Sequence, residues 1–66
     1  MLKVSSSNIS EIGFENGILT IKFTNGHVYN YTGISQGLFN NFANSQSKGK
    51  FFHQFIRNKY VHTRVI

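Results

Sequence analysis

The chain has 66 residues, seven Phe and three Tyr among them, no cysteine, and a formal charge of +5. That length makes a single domain over residues 1–66, near the lower limit for a chain that folds alone. Without cysteine there is no disulfide framework and no thiolate metal site, and no apolar run approaches the ~20 residues of a membrane span. With no charged-then-apolar leader at Met1 the chain reads as cytoplasmic and not membrane-bound. Ten aromatic side chains, each burying about 150–250 Å², can furnish a small core, and self-association is a common remedy when such a core is marginal.

The first half is organised by two Asn-Gly pairs, Asn16-Gly17 and Asn25-Gly26, each between alternating apolar runs. Asn-Gly suits the two-residue type I′ hairpin loop because both residues tolerate positive φ. The expectation is a three-stranded antiparallel meander over about 9–14, 18–24 and 27–32. Read as two-residue loops, the turns set Glu11 opposite Lys22, Phe14 opposite Leu19 and Phe23 opposite Val28. One face then carries Ile12, Phe14, Leu19, Ile21, Phe23 and Val28, an agreement that a one-residue slip would destroy. Tyr29 and Tyr31 fall on the other face beside Thr20, Lys22 and His27, where two rings and a lysine could stack bases of a single strand. A three-residue loop with a bulge at Asn25-Gly26 would instead turn both tyrosines into the core.

After Gly33 the apolar spacing changes from two to nearly four. Ser35 is the expected N-cap of a short helix whose packed face is Leu38, Phe39, Phe42 and Ala43. A second helix is expected from near Ser47 to Asn58 or Lys59, with Phe51, Phe52, Phe55 and Ile56 as its buried stripe on the apolar sheet face. Residues 60–66 alternate well enough for a short C-terminal strand. The fold class is therefore α+β: a meander followed by two helices on one sheet face.

Nearly all the net charge lies from Lys48 onward, in Lys48, Lys50, Arg57, Lys59 and Arg64, with His53 and His62 among them and no carboxylate. Such a patch attracts phosphate-bearing partners. Ser47-Lys48-Gly49-Lys50 opens the second helix, and Lys50, His53 and Arg57 follow on one face of it. These six residues are the candidate phosphate site, Tyr29 and Tyr31 the candidate stacking rings, and Lys22, Lys59 and Arg64 supporting charges. The plain alternative is a solvated basic face. The segment lacks the upstream glycine and strand of a Walker loop. His27, His53 and His62 have no short metal-ligand spacing, and two glutamates, Glu11 and Glu15, are too few for paired-carboxylate or two-metal catalysis. The chain is expected to bind rather than to catalyse, without cofactor or metal.

Four segments recur in one order: Ser6-Ser7-Asn8-Ile9, then the run from Asn25 to Tyr31 with its Tyr-x-Tyr pair, Ser47-Lys48-Gly49-Lys50-Phe51-Phe52, and Ile56-Arg57-Asn58-Lys59-Tyr60. Together they resemble the KTSC domain, a module of about this length found at the C-terminus of some lysyl-tRNA synthetases and alone in bacterial and phage proteins. The resemblance implies a compact α+β unit and, through the synthetases, suggests RNA binding; it carries no established activity. Where many members have proline ahead of the first helix, this chain has Ser35-Gln36-Gly37. Three functions follow as expectations. The first is binding of RNA or a nucleotide through the basic helix and the tyrosines. The second is a homo-oligomer of the phage anti-defence kind, which sequesters a cyclic or linear nucleotide immune signal. The third is a protein-interaction module that binds no nucleotide.

Overall fold

The two Asn-Gly turns take different forms, and the difference orients the sheet. Asn16 and Gly17 both have positive φ, 53° and 76°, as the two-residue I′ loop requires. In the second turn only Gly26 does, at φ 93°. There the Gly26 N–H donates to the Phe23 carbonyl at 3.0 Å and the Phe23 N–H to the His27 carbonyl at 2.9 Å. The loop is thus Thr24-Asn25-Gly26, a three-residue hairpin closed by a glycine bulge, with the Asn25 side chain accepting from the His27 N–H at 3.0 Å.

In this computed structural model, which describes residues 1–66, five strands make one antiparallel sheet in chain order: β1 Leu2–Lys3, β2 Ile9–Glu15, β3 Ile18–Phe23, β4 Val28–Tyr31 and β5 His62–Arg64. The β2–β3 register pairs Glu11 with Lys22 and Phe14 with Leu19, as expected. An irregularity between Ile9 and Glu11 lets Ile9 and Ile12 both face inward, and both are buried. The β3–β4 register is shifted by the longer loop: Leu19 pairs with Tyr31, Ile21 with Tyr29 and Lys22 with Val28. Tyr29 and Tyr31 therefore share the face of Leu19 and Ile21, and Val28 leaves it. This corrects the two-residue reading of Asn25-Gly26 and realises the bulged one. The physical reason is that period-2 alternation makes a single added loop residue exchange the faces of the whole strand.

Two helices cover that face, α1 Gln36–Asn44 and α2 Lys48–Phe51, the latter continuing as a π-helical turn over Phe52–Ile56. Ser35 caps α1, its hydroxyl accepting from the Leu38 N–H at 3.0 Å, and Phe42 is the fully buried member of the expected face. The second helix is shorter than expected. The Arg57 N–H donates to the Phe52 carbonyl at 2.8 Å, an i→i+5 bond that inserts an extra residue into the last turn. The buried stripe narrows accordingly: Phe52 and Ile56 join the core while Phe55 is 45% exposed.

The core comprises Ile9, Ile12, Leu19, Ile21, Tyr31, Ile34, Phe42, Phe52 and Ile56, with Phe14 stacked on Phe39 at its flank, centroids 4.7 Å apart. The outer sheet face holds polar pairs, Lys22 with Glu11 at 3.5 Å and the Thr20 hydroxyl with Asn30 Oδ1 at 2.7 Å. The two-residue β1, unsignalled in the sequence, pairs with β2, and β5 pairs with β4 of the same chain. No helix is long and apolar enough to cross a membrane.

The π turn makes a contrast between two phenylalanines testable. Phe52→Ala is expected to cost about 3–5 kcal/mol and to unfold much of so small a domain. Phe55→Ala should cost about 1 kcal/mol or less. Denaturant unfolding followed by circular dichroism checks both, and equal losses would contradict the observed phase of the helix.

Candidate functional site

Beside the core, between the inner face of β4–β5 and the π turn, lies a cleft of about 510 Å³. Alternation along β4 sends Tyr29 and Tyr31 into it. The β4–β5 register, Tyr31 with His62 and Tyr29 with Arg64, brings those two basic side chains to the same face, since directly paired residues share one. The hairpin loop supplies Asn25 and His27, and the π turn and its exit supply Phe52, His53 and Arg57. Tyr31 forms the floor at 5% exposure, backed edge-on by Phe52 with centroids 5.4 Å apart. The His62 ring lies 5.5 Å from Tyr31 and 5.8 Å from Tyr29. The tyrosines are thus walls and floor of a slot beside the core and not an open platform on the far face.

No carboxylate lines the cleft. Arg57, which lines it, and Arg64, which lies outside the lining on β5, each rest on a histidine. Arg57 Nη1 lies 3.1 Å from His53 Nδ1 and Arg64 Nη2 lies 2.8 Å from His27 Nδ1. A guanidinium only donates, so His53 Nδ1 accepts and its ring proton sits on Nε2, whereas His27 Nδ1 lies between Arg64 and the Ile66 oxygen, 3.3 Å away, which call for opposite roles. Arg64 Nε also donates to the Ile66 carbonyl at 3.2 Å. Burial pushes the Tyr31 phenol above its ordinary 10.0, Tyr29 adds to the rise, and the Arg57 guanidinium pulls against it.

The remaining candidates divide. Ser47, Lys48, Gly49, Lys50 and His53 line a second, wholly polar groove of about 580 Å³, whose other wall is Ser5, Ser6, Ser7 and Asn8. Asn8, Gly49 and His53 border both hollows. Within the groove Lys48 is tethered, its Nζ donating to the Ser45 carbonyl at 2.9 Å. The α-helical stretch behind Ser47 is four residues long, with no side-chain cap. Lys22 is on the outer sheet face with Glu11, away from the tyrosines it was expected to flank. Lys59 and Arg64 line neither hollow. Asn8, Asn25 and Phe52 line the cleft without having been singled out as site residues. His27 and His62 do so too; the signal for His62 is its alternation with Arg64, which matches the Tyr-x-Tyr strand it pairs with.

The family model described as KTSC domain matches residues 5–60. The lysine-tRNA ligase of Trichormus variabilis is 33% identical over 67 residues, covering 98% of this chain and 12% of the ligase. That of Nostoc punctiforme is 34% identical over 62 residues, covering 91% of this chain and 11% of the ligase. The chain therefore spans only a small part of these relatives. The crystal structure of a KTSC domain protein from Yersinia pestis superposes with a TM-score of 0.91 at 36% identity, covering 97% of this chain and 93% of that one.

The raised phenol of Tyr31 has a signed consequence. The unfolded state loses that proton first as pH rises past about 10, so the contribution to stability is complete below 10 and is lost above it. Tyr31→Phe should remove the latest phase of phenolate absorbance and flatten the fall of unfolding free energy between pH 10 and 12. An unchanged titration curve would contradict the buried placement of the ring.

Proposed function

The chain belongs to the KTSC domain family, and from that premise we propose that it is a non-enzymatic module that binds RNA, its cleft taking one nucleotide of a single strand. The observation that carries this reading is the convergence of Arg57, His53, Tyr29 and His62 on a slot with no acidic lining. A slot of about 510 Å³ falls within the range of small-ligand sites, about 300–1,000 Å³, and suits one base better than a run of stacked bases. Aromatic walls stack on any base, and guanidinium groups match phosphate oxygens. The polar groove that shares Asn8, Gly49 and His53 with the slot offers a course for the flanking backbone. Two relatives are lysine-tRNA ligases, which supports RNA as the source of that nucleotide. Both glutamates lie on β2, outside the cleft lining, in keeping with binding over acid–base catalysis.

A second reading rests on the free edge of β5. Val61, Val65 and Ile66 are all more than half exposed beside that strand, which bonds to a neighbour on one side only, and open edges readily add a further strand. Two or more copies joined there would make a homo-oligomer able to sequester a small nucleotide signal. Native mass spectrometry separates the two: a monomer removes the second reading, and a dimer with a discrete co-purifying nucleotide favours it.

The first reading is tested by anisotropy titration of a labelled single-stranded oligoribonucleotide. Affinity should fall with salt at a log–log slope of about −0.7 per neutralised phosphate. Arg57→Ala should weaken binding about tenfold or more with the circular dichroism unchanged. Binding that ignores both salt and Arg57 would overturn the proposal.

A further inference from the structure

We infer that the aromatic cleft and the polar groove form one continuous site, and that Gly49 is the specificity residue at the crossing between them. Its missing side chain lets a strand pass from one hollow into the other. The inference rests on the RNA-binding reading above and narrows its ligand to a strand that continues beyond the nucleotide held in the cleft.

Most glycines of this chain have a reason in the fold. Gly17, Gly26 and Gly33 hold positive φ, and a Cβ at Gly13 would come within 3.1 Å of the Met1 side chain. Gly49 has neither reason. It lies inside α2, where glycine is the poorest helix former after proline, and its φ is not positive. A Cβ there would meet only Asn8 Nδ2, at 3.8 Å, which is ordinary van der Waals contact. The fold itself has room for a side chain at this position.

What a side chain would close is the passage. Asn8, Gly49 and His53 line both hollows, so the hollows meet at these three residues. Asn8, just ahead of β2, is held in place: its N–H donates to the Ser6 hydroxyl at 3.4 Å and its carbonyl accepts from the Thr24 N–H at 2.9 Å. A methyl group at 49 would touch the Asn8 amide and raise a ridge across the saddle. The chemistry changes along that line. On one side Tyr29, Tyr31 and Phe52 offer aromatic faces, which suit a base. On the other, Ser6, Ser7 and Lys50 line a groove with no apolar side chain and no carboxylate, which suits sugar and phosphate. A nucleic-acid strand divides its own groups in the same way, base to one side and backbone to the other.

Anisotropy titration of a short labelled oligoribonucleotide, with the nucleoside 5′-monophosphate of the same base as competitor, tests this. The unaltered protein is expected to bind the oligoribonucleotide about tenfold or more tightly than the monophosphate. Gly49→Ala and the longer Gly49→Gln should each weaken the oligoribonucleotide about fivefold or more, the scale of one group forced into a filled space. Their thermal midpoints by circular dichroism should equal or exceed that of the unaltered protein, since both residues form helix better than glycine. Gly37→Ala should leave the affinity unchanged: Gly37 lies in α1 with open space around it and lines neither hollow. If the Gly49 variants bind as tightly as the unaltered protein, or the oligoribonucleotide gains nothing over the monophosphate, the crossing is wrong and the nucleotide-binding cleft stands. An equal loss in Gly37→Ala, or a lowered midpoint in Gly49→Ala, would overturn the inference as well. If the unaltered protein binds no oligoribonucleotide, both the crossing and the RNA reading are overturned.

Discussion

Gly26 holds φ at 93° in a loop of three residues, and the side-chain content of the cleft depends on that one backbone conformation. The loop fixes which face β4 presents. With the strand as it stands, Tyr29 and Tyr31 face the helices, Phe52 packs edge-on against Tyr31, and β5 adds His62 and Arg64 to the same side. In the opposite phase Val28 and Asn30 would face inward, and the tyrosines would lie among Glu11, Lys22 and Thr20 on the polar face. An L-residue other than Asn or Asp adopts such a φ only at a cost, so glycine at this position selects between two sheets with different chemistry.

Much of the fold is legible in the residues because local chemistry and the global pattern agree. Asn16-Gly17 adopts the loop its residue types favour, Ser35 caps the helix it precedes, and Phe42 lies at the centre of the face set by its spacing. Asn25-Gly26 was ambiguous for a definite reason. A glycine bulge and a type I′ turn both need positive φ at Gly26, and the apolar alternation of β3 fits either loop length. What decides is the area of two tyrosine rings buried against Phe52 and Ile21, a tertiary term that strand periodicity does not contain. Phe55 escaped for a similar reason, since an inserted residue in the last helical turn has no signature in spacing. The two-residue β1 is too short to carry any pattern.

The site was legible in composition more than in position. A basic, acid-poor second half pointed to phosphate, and the tyrosine pair to bases, and His53 and Arg57 do meet those tyrosines in the fold. In Ser47-Lys48-Gly49-Lys50, Lys48 binds the Ser45 carbonyl, and the α-helical stretch behind it is four residues long, too short for a strong terminal dipole. The cation that lines the cleft is an arginine and not a lysine, a difference with chemical weight, since a planar fork fixes the orientation of what it holds and an ammonium does not. Resting the Arg57 fork on the His53 imidazole and not on a carboxylate keeps the cleft cationic.

β4 ends at Tyr31 and β5 begins at His62, so both helices must be threaded between the two strands that form one wall of the cleft. The β2–β3 and β3–β4 hairpins close loops of two and three residues, an early event in folding, whereas the entropy of closing the longer connection defers β5. All three residues of β5 are exposed, and none belongs to the buried core. The strand can therefore come and go while Ile12, Leu19, Ile21 and Phe42 stay packed, as a low-stability unit on a firmer base. Each time it detaches, His62 and Arg64 leave with it. On the proposed RNA-binding reading, the dwell time of a nucleotide in this slot would be set by the fraying of one three-residue edge strand, a clock separate from the stability of the domain that carries it.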